Sequence, residues 1–324
     1  MVRRKGNKMQ ATSTFNIAII GVGPKGFYGF ERLLAQIRER KLKQPIAIHL
    51  FNQNKFFGAG NVYHNDQADF LIMNYANKNI NIWSEAQPKA INEETPNFIS
   101  CLSKENESSI DQLAEGFASR AVVGSYLIDG FTRLCEKLPK NIKLFAHIAT
   151  VTDIEKCGNR FRLHTQDQAE GEFVAFDKLL LTTGHLGCGA GFLKAHHSGQ
   201  YIDFVYPTSL ALGHIKAWSL VAIKGFGLTC IDAILALTEG RGGHFETFGS
   251  GKLTYTSSGK EPDRIFSFSR TGLPMVPRTG KADDKMPLHF LREDVLASFK
   301  KAKSVSFKQT LLPLIRGKAE KTSC

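Results

Sequence analysis

Twice in this chain an apolar, strand-like run ends in a glycine-rich turn that opens a helix-like run: Gly21-Val22-Gly23-Pro24-Lys25-Gly26, and Gly225-Phe226-Gly227-Leu228-Thr229-Cys230. No other feature narrows the possible folds as much. In such a turn the first glycine permits the tight exit from the strand. The second lets backbone approach a pyrophosphate, and the third lets helix pack on strand. The helix start then offers unpaired N–H groups and a partial positive charge to an anion. An exposed charge gains only about 0.3–1 kcal/mol from the helix dipole, so the several N–H bonds matter more. A glycine pattern alone is weak evidence, and a purely structural turn is the competing reading. The strand before and helix after favour a dinucleotide cradle. Two cradles imply two dinucleotides, with a hydride passed between a flavin and a nicotinamide.

The runs around the first turn build a β-α-β unit. Residues 15–20 read as a short buried parallel strand, residues 27–40 as a helix with Phe30, Leu33, Leu34 and Ile37 on one face, and residues 46–51 as a second strand. Residues 52–108 read as loop-rich, 109–119 and 124–138 as helices, and 142–182 as short strands around turns. A second β-α unit follows, with a strand at 219–224 and a helix to about Glu239. Strands at 252–257 and 263–269 and a helix near 287–302 complete the pattern.

Composition excludes several classes. At 324 residues the chain can bury one large core or two moderate ones. No run of eighteen apolar residues is present, so no membrane span is expected. The basic N-terminus continues into polar residues where a secretory signal needs an apolar run, which predicts a cytoplasmic protein. Six cysteines show neither C-x-x-C nor zinc spacing and read as reduced thiols, so no metal site is expected. Paired-cysteine disulfide reduction is disfavoured for the same reason. The net charge of +12 is not spread over the fold. Residues 1–14 hold four basic groups and no acid, and residues 298–324 hold seven and one, so ten charges sit at the ends. Solvated tails are expected rather than a nucleic-acid face.

Individual positions depart from the dinucleotide pattern. The second strand ends in Asn52, where an acid usually binds the ribose hydroxyls. A neutral bond replacing a charged one costs about 1 kcal/mol, roughly fivefold in affinity. Cys230 stands where the third glycine of the second turn would be, which predicts a slightly wider helix–strand gap. Thr229 and Asp232 have the spacing of a capping box. Ser269-Arg270 ends a strand where an arginine accommodates the 2′-phosphate of NADP, and its planar fork suits phosphate.

Together these segments resemble a bacterial FAD/NAD(P)-binding family, distantly related to flavin-containing monooxygenases and N-hydroxylases. The resemblance covers roughly residues 15–277. It rests on the first glycine turn, the Phe57-Gly58-Ala59-Gly60-Asn61-Val62-Tyr63 run and Phe70-Leu71-Ile72-Met73-Asn74. It rests also on Arg120 with Gly124-Ser125-Tyr126-Leu127, on Leu181-Thr182-Thr183-Gly184-His185, and on the second glycine turn with Asp232. Arg241-Gly242-Gly243, Ser257-Ser258-Gly259 and Ser269-Arg270-Thr271-Gly272-Leu273-Pro274 complete it. The family's C-terminal return carries a Gly-Asp pair, and no such dipeptide occurs here.

The resemblance implies an α/β protein: a Rossmann-type three-layer FAD-binding domain with an inserted or following smaller NAD(P)-binding Rossmann-like domain. The expected organisation is a basic tail at 1–14, the FAD domain at 15–190, a linker at 191–216, the NAD(P) domain at 217–285, and a helical segment with a basic tail at 286–324. Expected FAD ligands are Gly21, Gly23, Pro24, Gly26, Asn52, Gly60, Asn74, Arg120, Thr183 and Gly184. Expected NADP (or NAD) ligands are Gly225, Gly227, Thr229, Ser269 and Arg270. The implied activity is that of an FAD-dependent NAD(P)H oxidoreductase, a monooxygenase of a small amine or metabolite. The alternative is a shortened, non-catalytic dinucleotide-binding protein. No catalytic side chain is assigned, because the cofactor carries the chemistry. Small-molecule substrate is expected; the oligomeric state is open.

Other residues carry paired readings. His64, His185, His196 and His197 could act as acids or ligands but read as loop or surface histidines without partners at metal spacing. Trp83 and Tyr126 could stack on a ring or fill the core. Arg120 could bind an anion or form a structural ion pair. Lys25 could meet phosphate or simply be exposed.

Overall fold

The computed structural model describes residues 14–104, 109–166, 175–184, 201–249, 251–275, 291–302 and 304–314. The chain divides into two compact units, Met1–Leu273 and Pro274–Cys324.

The first unit opens with β1 (Phe15–Ile20), α1 (Pro24–Glu39) and β2 (Ile46–Asn52). The helix begins three residues before the expected start, because Pro24 sits at its first position, where a missing N–H costs nothing. Two short helices follow, α2 (Phe98–Leu102) and α3 (Ile110–Glu115), then α4 (Arg120–Glu136). The chain returns through β3 (Ile142–Ile148), the hairpin β4 (Val151–Cys157) and β5 (Arg160–Thr165), and β6 (Lys178–Leu181). A four-stranded parallel sheet has the order β3-β2-β1-β6.

Three layers result. Every residue of β2 is buried, as a strand covered on both faces must be. On one face Ile17, Ile19, Ile48 and Leu50 pack against Phe27, Phe30 and Leu34 of α1 and Val123, Leu127 and Leu134 of α4. On the other, Ala18, Ile20 and Phe51 pack against Leu163 of the hairpin and Phe176. The alternation of apolar side chains along β1 and β2 feeds both faces. The chain leaves β1 toward β2 on one side, while β6 joins on the other, so β1 marks the switch point where open α/β sheets bind ligands.

A second module follows in the same unit. It comprises α5 (Thr208–Leu212), β7 (Leu220–Lys224), α6 (Leu228–Leu237), the hairpin β8 (His244–Phe248) and β9 (Lys252–Thr256), and β10 (Arg264–Phe268). Strands β7 and β10 pair in parallel. Two differences from the sequence reading stand out. Residues 244–248 form a strand that their sequence alone did not reveal, since β8 is exposed throughout and lacks an apolar alternation. The expected linker at 191–216 is not a free connection where it is described: Ile202, Val205, Leu212 and Ile215 pack with Leu237, Val221 and Ile265. Residues 191–200 of it lie outside the described residues.

The second unit contains α7 (Glu293–Lys301), with Glu293 and Asp294 in its first turn and Lys300 and Lys301 in its last. That distribution complements the helix dipole.

Candidate functional site

The first glycine turn begins where β1 ends. Gly21 has φ +89°, and its N–H donates to the Phe51 carbonyl at 2.8 Å. A Cβ there would strike the Thr182 carbonyl oxygen, so only glycine fits. A Cβ on Gly26 would collide with the Gly21 carbonyl and come within 2.9 Å of Thr182 Oγ1, which is the close helix–strand approach the third glycine permits. Opposite the turn, the Gly58 N–H donates to the Val22 carbonyl at 2.7 Å, and Gly60 lies against Gly23.

The helix start itself is open. α1 begins on Gly23 in extended backbone with no side-chain cap. By contrast Asn97, Ser109 and Ser119 cap α2, α3 and α4. Uncapped N–H groups at Lys25 and Gly26 have no intrahelical acceptor, an arrangement that can accept an anion. Lys25 is exposed.

The second turn repeats the arrangement. Gly225 has φ +117°, and its N–H donates to the Phe268 carbonyl at 2.7 Å, as Gly21 does to Phe51. α6 begins on Gly227 in extended backbone, again without a side-chain cap. A Cβ at Gly225 or Gly227 would meet nothing within 4 Å, so space beside the turn is clear. Cys230 is buried and its thiol donates to Ser267 Oγ at 3.4 Å, filling the gap that a third glycine would have closed. The matched carbonyls make Ser269 the counterpart of Asn52. Ser269 Oγ accepts from the Gly272 N–H at 3.1 Å, and Arg270 is exposed just beyond it.

Residues 18–186 match the FAD-NAD(P)-binding family. The chain belongs to that family. Nitrosuccinic acid synthase of Aspergillus oryzae is 24% identical over 95% of this chain and 49% of its own length. L-Aspartate N-monooxygenase (nitrosuccinate-forming) of Streptomyces davaonensis is 26% identical over 82% of this chain and 45% of its own length. The enzyme of the same name from Streptomyces cremeus is 26% identical over 94% of this chain and 50% of its own length. The chain thus spans about half the length of the curated relatives it matches. FAD and NAD(P) are the cofactors the family name carries, and two uncapped helix starts beside glycine turns fit their pyrophosphates.

Other candidate ligands are placed less directly. Asn52 is buried, and its amide serves the turn: Oδ1 accepts from the Val22 N–H at 3.2 Å, while Nδ2 donates to the Asn54 carbonyl at 2.9 Å and to Asn54 Oδ1 at 3.0 Å. A ribose hydroxyl would have to use the remaining lone pair of Oδ1. Thr183 and Gly184 are exposed. The close contact to the turn comes one residue earlier, where Thr182 Oγ1 donates to the Gly21 carbonyl at 2.6 Å. The sequence signal for Thr182 was its position at the end of an apolar strand beside β1. Asn74 is exposed on a segment held to the start of α4, where the Arg120 N–H donates to the Leu71 carbonyl at 2.7 Å.

Arg120 is an ion pair. Its Nη1 donates to Asp232 Oδ2 at 2.5 Å and to Tyr206 Oη at 3.4 Å, and Tyr206 Oη also donates to Asp232 Oδ2. Burial opposes the charge on Arg120, but Asp232 and Tyr206 outweigh it and hold the pKa above its ordinary value. Asp232 therefore does not complete a capping box with Thr229; Gly227 is the cap position, and the carboxylate faces Arg120 instead. Sequence spacing could not reveal a contact between residues so far apart in the chain.

The Arg241-Gly242-Gly243 and Ser257-Ser258-Gly259 segments meet in a structural staple. The Arg241 guanidinium donates to the carbonyls of Ile215 at 2.7 Å and Lys260 at 3.0 Å. Glu261 accepts from Ser257 Oγ at 2.6 Å, Tyr255 Oη at 2.7 Å and the Ser258 N–H at 2.7 Å. Those donors, Ser257 first, hold the Glu261 carboxyl far below the usual carboxylate range. A cavity of about 1070 Å³ opens beside Arg241, lined also by Asp66, Phe70, Pro207 and Gly240, and neither glycine turn borders it.

His64 lies in a loop, as one of its two expected readings had it, and is buried there. It is 3% exposed and stacks on Phe56 at 4.9 Å, with no hydrogen-bond partner on either ring nitrogen. Burial lowers its pKa; the charge of Asp66 and then its backbone oppose this without outweighing it. His185, His196 and His197 lie outside the described residues. Trp83 and Tyr126 are core residues: Trp83 sits edge-on to Phe27, and Tyr126 Oη donates to the Pro96 carbonyl at 3.0 Å. Among the described residues Cys101, Cys135, Cys157 and Cys230 are in no disulfide. Among the described residues no group of three or more His, Cys, Asp or Glu side chains could hold a metal, and no helix is long and apolar enough to cross a membrane.

Proposed function

We propose that this chain carries the flavin- and nicotinamide-binding core of an FAD-dependent NAD(P)H monooxygenase acting on the nitrogen of a small amine or amino acid. The observation that carries the reading is the repeated cradle. In one compact unit Gly21 hangs from Phe51 and Gly225 from Phe268 by the same bond, and each turn opens an uncapped helix. The substrate class is drawn from the named activity of the relatives, oxygenation of the amino nitrogen of L-aspartate.

In this reading the start of α1 would hold the FAD pyrophosphate at Gly23, with Gly60 packed against that glycine from behind and Pro24 and Gly26 shaping the turn. Asn52 and Thr182 act by fixing Val22 and Gly21, and Asn74, Thr183 and Gly184 lie on exposed segments open to the rest of the cofactor. The start of α6 holds the nicotinamide dinucleotide through Gly225, Gly227 and Thr229. Ser269 shapes the following turn and Arg270 offers its fork to the 2′-phosphate. FAD held there would supply the redox chemistry between nicotinamide and oxygen, and the residues named would position it. The cytoplasm suits the four cysteines described above, none of them in a disulfide.

The test is a spectrum and a turnover assay. Purified protein should be yellow, or take up added FAD, and its flavin should bleach faster with NADPH than with NADH. Under air, L-aspartate should raise NADPH consumption and yield N-oxygenated product. Colourless protein that takes up no FAD sinks the reading. Protein that binds a dinucleotide yet consumes no NADPH points to a non-catalytic binding protein, the reading that the inward-turned amide of Asn52 favours.

A further inference from the structure

We infer that the buried Arg120–Asp232 pair, completed by Tyr206, is the positioning element that sets the angle between the two cradles. The inference rests on the reading that both cradles are loaded. Arg120 is the first residue of α4 in the sheet module, and Asp232 lies in the second turn of α6, which starts at the second glycine turn. The two side chains are 8% and 6% exposed and meet at 2.5 Å.

Stability alone does not explain this arrangement. A cation at a helix start opposes the partial positive charge of that end. Burying two charges costs solvation that their attraction only partly returns, and apolar side chains of similar volume often hold a fold as well or better. What an ion pair adds is direction. The Arg120 guanidinium, the Asp232 carboxylate and the Tyr206 hydroxyl must all align, whereas apolar patches slide. The guanidinium also lies 5.7 Å from the Tyr206 ring centre, which fixes its plane further.

Packing around the pair leaves that alignment to do. The cavity of about 1070 Å³ separates the 65–70 loop from the 236–242 turn along the same boundary. Phe70 against Gly240 is a contact across it, and it is not directional. Asp232 stands about 7 Å along the helix from Gly227, at 1.5 Å per residue. A rotation at the pair is therefore felt directly at the second cradle. Misplacing a reacting group by about 1 Å can cost about 100-fold in rate.

The test compares the parent with the apolar double variant Arg120→Met/Asp232→Leu, and with Asp232→Asn, which keeps the shape of the contact. Spin labels enter at Gln36 and Lys252 as a non-natural amino acid, one exposed site on each module. The parent should give one narrow distance distribution; both variants should broaden or shift it. In flavin-loaded protein the double variant should reduce flavin with NADPH about 10- to 100-fold more slowly at unchanged flavin content and similar melting temperature. An unchanged distance distribution overturns the inference whatever the rate. A broadened distribution in protein whose flavin is never reduced keeps the inference and sinks the oxidoreductase reading instead. Should the double variant fail to fold, the distance distribution and the reduction rate of Asp232→Asn decide the matter in the same way.

Discussion

Acid should weaken this fold through its buried and half-buried imidazoles, His49 foremost. It lies on β2, 7% exposed, with Nδ1 3.0 Å from His147 Nε2 on β3. Its ring stacks on Phe145 at 4.6 Å and meets Phe176 edge-on at 5.2 Å. Burial first, and then the neighbouring His147, push its pKa from 6.5 down to about 4. Burial lowers His147 as well. The folded protein therefore refuses a proton that the unfolded chain accepts. The stability contributed by the neutral ring is complete above about pH 6.5 and is lost as the pH falls toward 4. Each unit of differential titration is worth about 1.4 kcal/mol. Going from pH 7 to pH 4.5 should cost about 2 kcal/mol through His49 alone.

Urea unfolding of the parent and of His49→Phe at those two pH values measures it. Phenylalanine keeps the stacking and removes the titration of His49; titrating groups out of contact with position 49 cancel in the difference, whereas His147, 3.0 Å away, does not, so the difference reads the coupled pair. The parent should lose about 2 kcal/mol more than the variant. Equal losses would show that the buried ring titrates as it does in the unfolded chain, and the reasoning fails. The site should feel the change, because Phe51, two residues along the same strand, holds the Gly21 N–H.

Three further outcomes are expected. Asn52→Ala leaves the Val22 N–H and the Asn54 acceptors without their partner, so stability should fall by about 2 kcal/mol and FAD binding about tenfold; titration calorimetry showing parent-like affinity would mean the amide does not hold the turn. Arg270→Gln should raise the KM for NADPH about fivefold while leaving NADH unaffected, an effect kept modest by solvent screening of the exposed fork; equal changes for both coenzymes would place the 2′-phosphate elsewhere. His64→Phe removes two buried ring nitrogens that have no partner, so it should raise the melting temperature by about 2–4 °C, corresponding to about 1 kcal/mol; a lowered melting temperature would show that the imidazole has a hidden partner.

Polar side chains at this site work largely on the protein itself. Asn52 ties the first turn, Arg241 and Glu261 staple the loops of the second module, and Arg120 pairs with Asp232. In the proposed reading the ligands are left mainly backbone, two helix starts without a side-chain cap, with the exposed Arg270 beside the second. Such sites need glycine and proximity more than reactive side chains, which accounts for a chain without a metal or nucleophile motif in its sequence.

Local physics was legible in the residues. The order strand, glycine turn, helix, strand around residues 15–51 follows from β-branched runs, from Pro24 at a helix start, and from the one residue type that tolerates Gly21's φ of +89°. The second glycine turn follows from the same pattern, and the strand before Ser269 and Arg270 ends at Phe268, one residue short of the expected end. These features depend on neighbours a few residues apart, so chain order alone decides them. Tertiary structure decided the rest. That Thr182 rather than Thr183 touches the turn, that His64 is walled in without partners, and that His49 meets His147 all depend on which strands lie side by side. That Arg120 answers to Asp232, 112 residues away, rather than to an anion depends on how two modules meet. Pattern and propensity act along the chain, whereas burial and pairing act across it, and only the folded molecule brings both kinds of neighbour together.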